Sequence, residues 1–118
     1  MNTKRSRKQG RGPTAAELRH MLSTIRLEET EKKIAAGLKA DGVTPEQYTH
    51  AWKACASDIL QAMPEDVRTS KTGRGLLAVA ATKKVRLSVR ALHKFVFEHA
   101  EEVAKLAYFP RLRDYLPA

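Results

Sequence analysis

Val85-Arg86-Leu87-Ser88-Val89-Arg90-Ala91-Leu92-His93-Lys94-Phe95-Val96 is the stretch on which the fold of this chain turns. Val85, Val89, Leu92 and Val96, continued by Val103 and Leu106, recur at three, four or seven residues, which puts their side chains on one face of a helix. At about 100° per residue, Lys83, Arg86, Arg90, His93 and Lys94 fall roughly opposite. The stretch therefore predicts a helix with one side in a core and a cationic ridge on the other.

Two descriptions fit the residues that lead into it. Leu77, Ala81, Val85, Val89 and Leu92 form a drifting stripe, as in one continuous helix of about thirty residues. Alternatively, a short helix runs to about Lys84, the chain turns through Val85-Arg86-Leu87, and a second helix starts at Ser88. Ser88 is a good N-cap, and Leu87 and Leu92 are spaced for a hydrophobic staple. That layout is a helix-turn-helix, whose second helix enters the major groove with its N-terminal residues on base edges.

Leu87-Ser88-Val89-Arg90-Ala91-Leu92-His93-Lys94-Phe95 resembles the start of the recognition helix in AraC-type activators, where Ser-x-Arg-x-Leu and a later aromatic recur. With the alanine-rich helix before it, the resemblance covers about residues 77–96. It implies a helix-turn-helix DNA-binding protein and transcription regulation. At the turn those activators carry a small residue, often glycine, where this chain has Lys84, Val85 and Arg86.

Charge is segregated along the 118 residues, whose net charge is +9. Residues 1–13 carry Lys4, Arg5, Arg7, Lys8 and Arg11 and no acid, while residues 14–63 sum to −1. Residues 64–97 hold Arg68, Lys71, Arg74, Lys83, Lys84, Arg86, Arg90 and Lys94 against Glu65 and Asp66, and residues 98–118 return to −1. Cations gathered in two blocks suit a polyanion, whereas cations that only keep a protein soluble would be scattered. Helices also favour acids in the first turn and bases in the last. From Ser88 the order is reversed, with Arg90, His93 and Lys94 before Glu98, Glu101 and Glu102. An anionic partner, or acids from neighbouring helices, would repair that half.

Outside this region the chain marks its helices well. Residues 1–12 lack apolar periodicity and bury too little to offset the cost of ordering, so a disordered basic arm is expected, able to follow phosphates or enter a minor groove. Its alternative role is a solubilising tail. Thr14 with Glu17 forms a capping box for a helix that should end near Asp41-Gly42. Leu18, Met21, Leu22 and Ile25 share one face of it, and Leu27, Ile34 and Leu38 point the other way. Either the segment breaks near Ser23-Thr24, or one long helix serves two neighbours, which would suit a homodimer. Thr44, Pro45 and Gln47 open another helix, on which Tyr48, Trp52, Cys55, Ile59 and Met63 make one core stripe. Pro64 ends it, and Arg68-Thr69-Ser70-Lys71-Thr72-Gly73-Arg74-Gly75 reads as a polar loop without the order of a nucleotide-gripping motif. The aromatic tail from Tyr108 to Leu116 should pack back on the body or on a second subunit.

The expected fold class is all-α: a compact bundle of three to four helices at 14–118, a single helical domain, preceded by the arm at 1–13. No apolar run approaches a membrane span, and a single cysteine favours a reducing compartment, so a cytoplasmic, nucleoid-associated setting is expected. His20, His50, His93 and His99 lie apart from one another and from Cys55, without zinc-ligand spacing, and no acid–base couple stands out. Neither an enzyme nor a cofactor or metal is expected. The favoured function is DNA binding by a small regulator: Arg86, Arg90, His93 and Lys94 read or clamp the duplex, while the arm and Arg68, Lys71, Arg74, Lys83 and Lys84 hold phosphates. RNA binding and a helical protein–protein adaptor are the rivals.

Overall fold

The computed structural model describes residues 12–117. Its helices are α1 (Ala15–Thr24), α2 (Leu27–Ala40), α3 (Pro45–Gln61), α4 (Glu65–Arg68), α5 (Lys71–Ala78), α6 (Val85–Glu98) and α7 (Ala100–Ala104). Two 3₁₀ turns, Val79–Thr82 and Leu112–Tyr115, complete them, and the described residues contain no strand. The all-α class holds; the three to four helices become seven shorter ones, because the chain breaks at Ile25-Arg26, Pro64, Lys83 and His99. Among the described residues no helix is long and apolar enough to cross a membrane.

α3 is the axis of the core. Thr44 Oγ1 accepts from the Gln47 N–H at 3.1 Å and Gln47 Oε1 accepts from the Thr44 N–H at 2.9 Å, so the capping box forms with Pro45 in the first turn. The stripe from Tyr48 to Met63 is buried throughout. Trp52 donates its indole N–H to the Leu76 carbonyl at 2.9 Å, which satisfies a buried donor and ties α3 to α5. Cys55 is a small buried hydrophobe, and burial pushes its thiol up to about 11. Phe95, Ile59 and Leu76 are the largest fully buried apolar side chains, contributed by α6, α3 and α5. These three helices make one cluster, which Leu18 and Leu22 of α1 and Phe109, Leu112 and Tyr115 of the tail flank.

The Thr14–Glu17 capping box starts α1, and the break after Thr24 separates two helices with different partners. α1 lies against α6 and α7, whereas α2 lies against α6 alone among its substantial contacts. Each helix thus has a neighbour within one chain, while Met21 and Ile25 on the α1 face stay exposed. The tail packs back on α3, where Tyr115 Oη donates to Asp58 Oδ2 at 2.7 Å.

Residues 68–75, expected as a loop, instead close α4 and open α5. Ser70 caps α5 by accepting from the Gly73 N–H at 3.0 Å. Gly73 is buried because α5 starts hard against α4: a Cβ there would lie 2.3 Å from the Val67 carbonyl oxygen.

Candidate nucleic-acid interface

α5 and the 3₁₀ turn after it lead into a tight turn at Lys83-Lys84, and α6 follows. The chain is broken here and not one continuous helix, but the break lies elsewhere than expected: α5 ends at Ala78, and Val85, Arg86 and Leu87, expected as the turn, open α6. Lys83 takes the left-handed backbone, φ 60° and ψ 20°, and Lys84 is the N-cap. Ser88 is not a cap, and the Leu87–Leu92 staple goes with it. It is 2 % exposed inside α6, where its hydroxyl meets the Tyr48 hydroxyl and donates to the Val85 carbonyl at 3.0 Å. A buried phenol needed a partner, and that need outweighed the hydroxyl's preference for capping.

The sequence-predicted side chains now divide into groups. Lys4, Arg5, Arg7, Lys8 and Arg11 lie outside the described residues. Lys71, Arg74, Lys84, Arg86 and Lys94 are exposed, and no described carboxylate pairs with any of them. Arg68 is exposed and donates to the Met63 carbonyl at 2.7 Å, closing α3 against α4. Lys83 Nζ lies 3.4 Å from Glu46 Oε2. The Glu46 carboxyl is held below its ordinary value, first by its own backbone N–H and then by Lys83. Arg90 Nε sits 2.7 Å from Glu31 Oε2, and His93 donates from Nε2 to the Leu22 carbonyl at 2.9 Å.

Arg90 and His93 are therefore spoken for within the fold. Glu31 is the one buried residue of α2, 8 % exposed, and its carboxylate has to be met by a cation. The Arg90 contact is close, but it is an ion pair and not an aligned hydrogen bond, since Glu31 Oε2 has no hydrogen-bond donor among the described residues. The Arg90 side chain stays 44 % exposed, so one side of it still meets solvent. Residue spacing along α2 carried the signal for this pair: Leu27, Glu31, Ile34 and Leu38 follow at four, three and four, placing an acid on an apolar stripe.

α6 begins without a side-chain cap and without an acid in its first turn. The unpaired N–H groups and dipole of a helix N-terminus amount to roughly half a positive charge. Lys84 and Arg86 add to that charge and do not offset it. Acids from other helices repair Arg90 and Lys83 but not these two. Residues 67–97 contain no Asp or Glu at all, so nothing local can.

Beside Arg90 lies an open groove of about 560 Å³ between the first turn of α2 and the outer side of α6, lined by Leu27, Arg90, His93, Lys94, Phe97 and Glu98. Phe97 is 42 % exposed, and the Arg19 guanidinium lies 5.7 Å from its ring centre. Arg19 is fixed in turn by Glu101 at 2.7 Å and by the Phe97 carbonyl at 2.9 Å. The Glu101 carboxyl is held low chiefly by that hydrogen bond. Phe97 did not stand out in the sequence, although it sits three residues past Lys94 and seven past Arg90, on the cationic side and not on the apolar stripe.

A cluster of Ser70, Thr72 and His99 is structural. His99 Nε2 lies 3.1 Å from Ser70 Oγ and 2.9 Å from Thr72 Oγ1, and Glu98 Oε2 approaches the same nitrogen at 3.4 Å. A carboxylate that orients a catalytic imidazole would face the other nitrogen. Ser70 Oγ already donates to the Val67 carbonyl at 2.6 Å while capping α5. The cluster holds the α6–α7 corner on the start of α5. Comparison with family models, with curated proteins and with solved structures finds no match to this chain.

Proposed function

We propose that this protein is a small, non-enzymatic DNA-binding regulator that lays the α5–turn–α6 unit against a duplex. The observation that carries this reading is the set of five exposed cations, Lys71, Arg74, Lys84, Arg86 and Lys94, in an acid-free segment and without a carboxylate partner among the described residues. Lys84 and Arg86 at the uncapped end of α6 approach phosphates together with the helix dipole. Arg86 and Lys94 are the candidates for base edges. Arg90 takes a lesser part than its position suggested, because Glu31 holds its Nε. The basic arm at 1–13 adds phosphate contacts in the same proposal. A cytoplasmic, nucleoid-associated location follows from such a partner. Exposed Met21 and Ile25 at the end of α1 support a homodimer.

The test is a salt titration of binding to random duplex DNA, using the full chain, the chain lacking residues 1–12, and the double variant Arg86→Glu/Lys94→Glu. Log affinity should fall linearly with log salt, with a slope of about −0.9 per phosphate contact. Removing the arm should make that slope shallower, and the double variant should bind at least about tenfold more weakly at low salt, with unchanged helicity. Tighter binding to structured RNA than to duplex DNA would transfer the same surface to RNA. Unchanged binding by the double variant would end the proposal.

A further inference from the structure

We propose that the groove between α2 and α6 holds one unpaired nucleotide of single-stranded DNA, with its base on Phe97 and its phosphate at Lys94 and Arg90. This rests on the nucleic-acid reading above and deepens it, since duplex binding alone requires no such pocket. Phe97 is an exposed aromatic ring on a surface otherwise rich in cations. The Arg19 guanidinium, clamped by Glu101 and by the Phe97 carbonyl, braces the ring, and Leu27 supplies an apolar wall in the groove. A braced ring and an aliphatic side chain lining one groove suit a flat, uncharged π-system. Base–aromatic stacking is sequence-tolerant for that reason and carries about 1–3 kcal/mol per base.

The rim fits what is attached to a base. Lys94 is exposed and unpaired among the described residues, and Arg90 keeps a solvent-facing side after its contact with Glu31. Among the described residues Glu98 is the one acid lining the groove, so two cations face one carboxylate there, with His93 held by Leu22. A purely apolar ligand would not call for the cations. An acidic peptide would not call for the ring. The volume of about 560 Å³ accepts one nucleotide without opening the fold.

The test uses a short DNA strand carrying 2-aminopurine flanked by thymines, with the full chain, the variants Phe97→Leu and Phe97→Trp, and a duplex of ordinary sequence as reference. Wild type should quench the 2-aminopurine on binding. Phe97→Leu should abolish the quench and weaken single-strand binding about tenfold, while duplex affinity and its salt slope stay within twofold. Phe97→Trp should restore the quench. Lys94→Glu, at an exposed position, should weaken single-strand binding several-fold more than Lys53→Glu, at an exposed position of α3 that does not line the groove. Duplex binding that survives while Phe97→Leu leaves the quench intact, or Lys53→Glu matching Lys94→Glu, would overturn the groove and spare the duplex reading. Failure of wild type to bind either form would overturn both. A stronger quench with the matching RNA strand would overturn the commitment to DNA.

Discussion

α3 and α6 share the core, and they begin in opposite ways. α3 opens with a threonine cap, a proline, an acid in the first turn and a reciprocal glutamine, so its exposed N–H groups and its dipole are answered by its own residues. α6 opens after a left-handed lysine, with a lysine at the cap, no side-chain hydrogen bond to the cap and an arginine in the first turn. Both helices bury an apolar side, so both are held by packing. The end of α3 is finished for stability, while the end of α6 is left with its positive charge facing outward. A local rule broken in this way is what the proposed anionic partner would offset.

The contrast can be broken most severely from the α3 side. Ile59→Ala removes a side chain that is 0 % exposed and should cost about 2–5 kcal/mol in a urea melt, leaving DNA affinity unchanged where the variant is still folded. A loss under about 1 kcal/mol would mean that α3 does not anchor the core.

Finishing α6 in the manner of α3 should separate stability from binding. Lys84 has the extended backbone of an N-cap, φ −111° and ψ 116°, so Lys84→Asp should accept from the next turn's N–H groups and stabilise the fold by about 1 kcal/mol. The same change should weaken duplex DNA binding about tenfold at low salt, by turning a cation into an anion where phosphates are proposed to lie. A gain in stability with no loss of binding would leave the difference between the two helices without a functional meaning.

The smallest effect concerns the tail that guards α3. The hydrogen bond to Asp58 pushes the Tyr115 phenol up to about 12, and an unfolded chain's tyrosine titrates near 10. The folded form holds this proton more tightly, so the contribution is complete below about pH 10 and disappears as pH rises through about 12. Burial raises Tyr48 as well, so the signal is the difference between wild type and Tyr115→Phe. That difference should shrink over this interval in parallel denaturation curves. A constant difference would mean that the Asp58 bond contributes nothing in solution.

Where a structural choice is local, the residues announced it. The Thr14 and Thr44 capping boxes, the stripe from Tyr48 to Met63 and the burial of Cys55 follow from spacings of three and four. The start of α6 did not follow, because a left-handed turn is normally marked by glycine or asparagine and here it falls on Lys83. Ser88 carried the local marks of a cap, but Tyr48, forty residues earlier, claimed its hydroxyl. Gly73 and Gly75 suggested a loop, whereas Ser70 capped a helix through them. In the candidate site, Lys71, Arg74, Lys84, Arg86 and Lys94 are on the surface, as their charge required. Spacing placed Glu31 on the apolar stripe of α2 and Phe97 on the cationic side of α6, but the pairing of the one with Arg90 and of the other with Arg19 depends on contacts between distant helices, which no spacing rule reaches.

Gly73 and Gly75 look interchangeable in the sequence and stand two residues apart in the same helix. A methyl on Gly75 would meet open space, whereas one on Gly73 would run into the carbonyls of Val67 and Arg68. One glycine is a spare part and the other a keyhole: a library randomised at both should drift freely at 75 and return a single answer at 73. Through that one hydrogen atom, the seat of α5 fixes how α6 is presented.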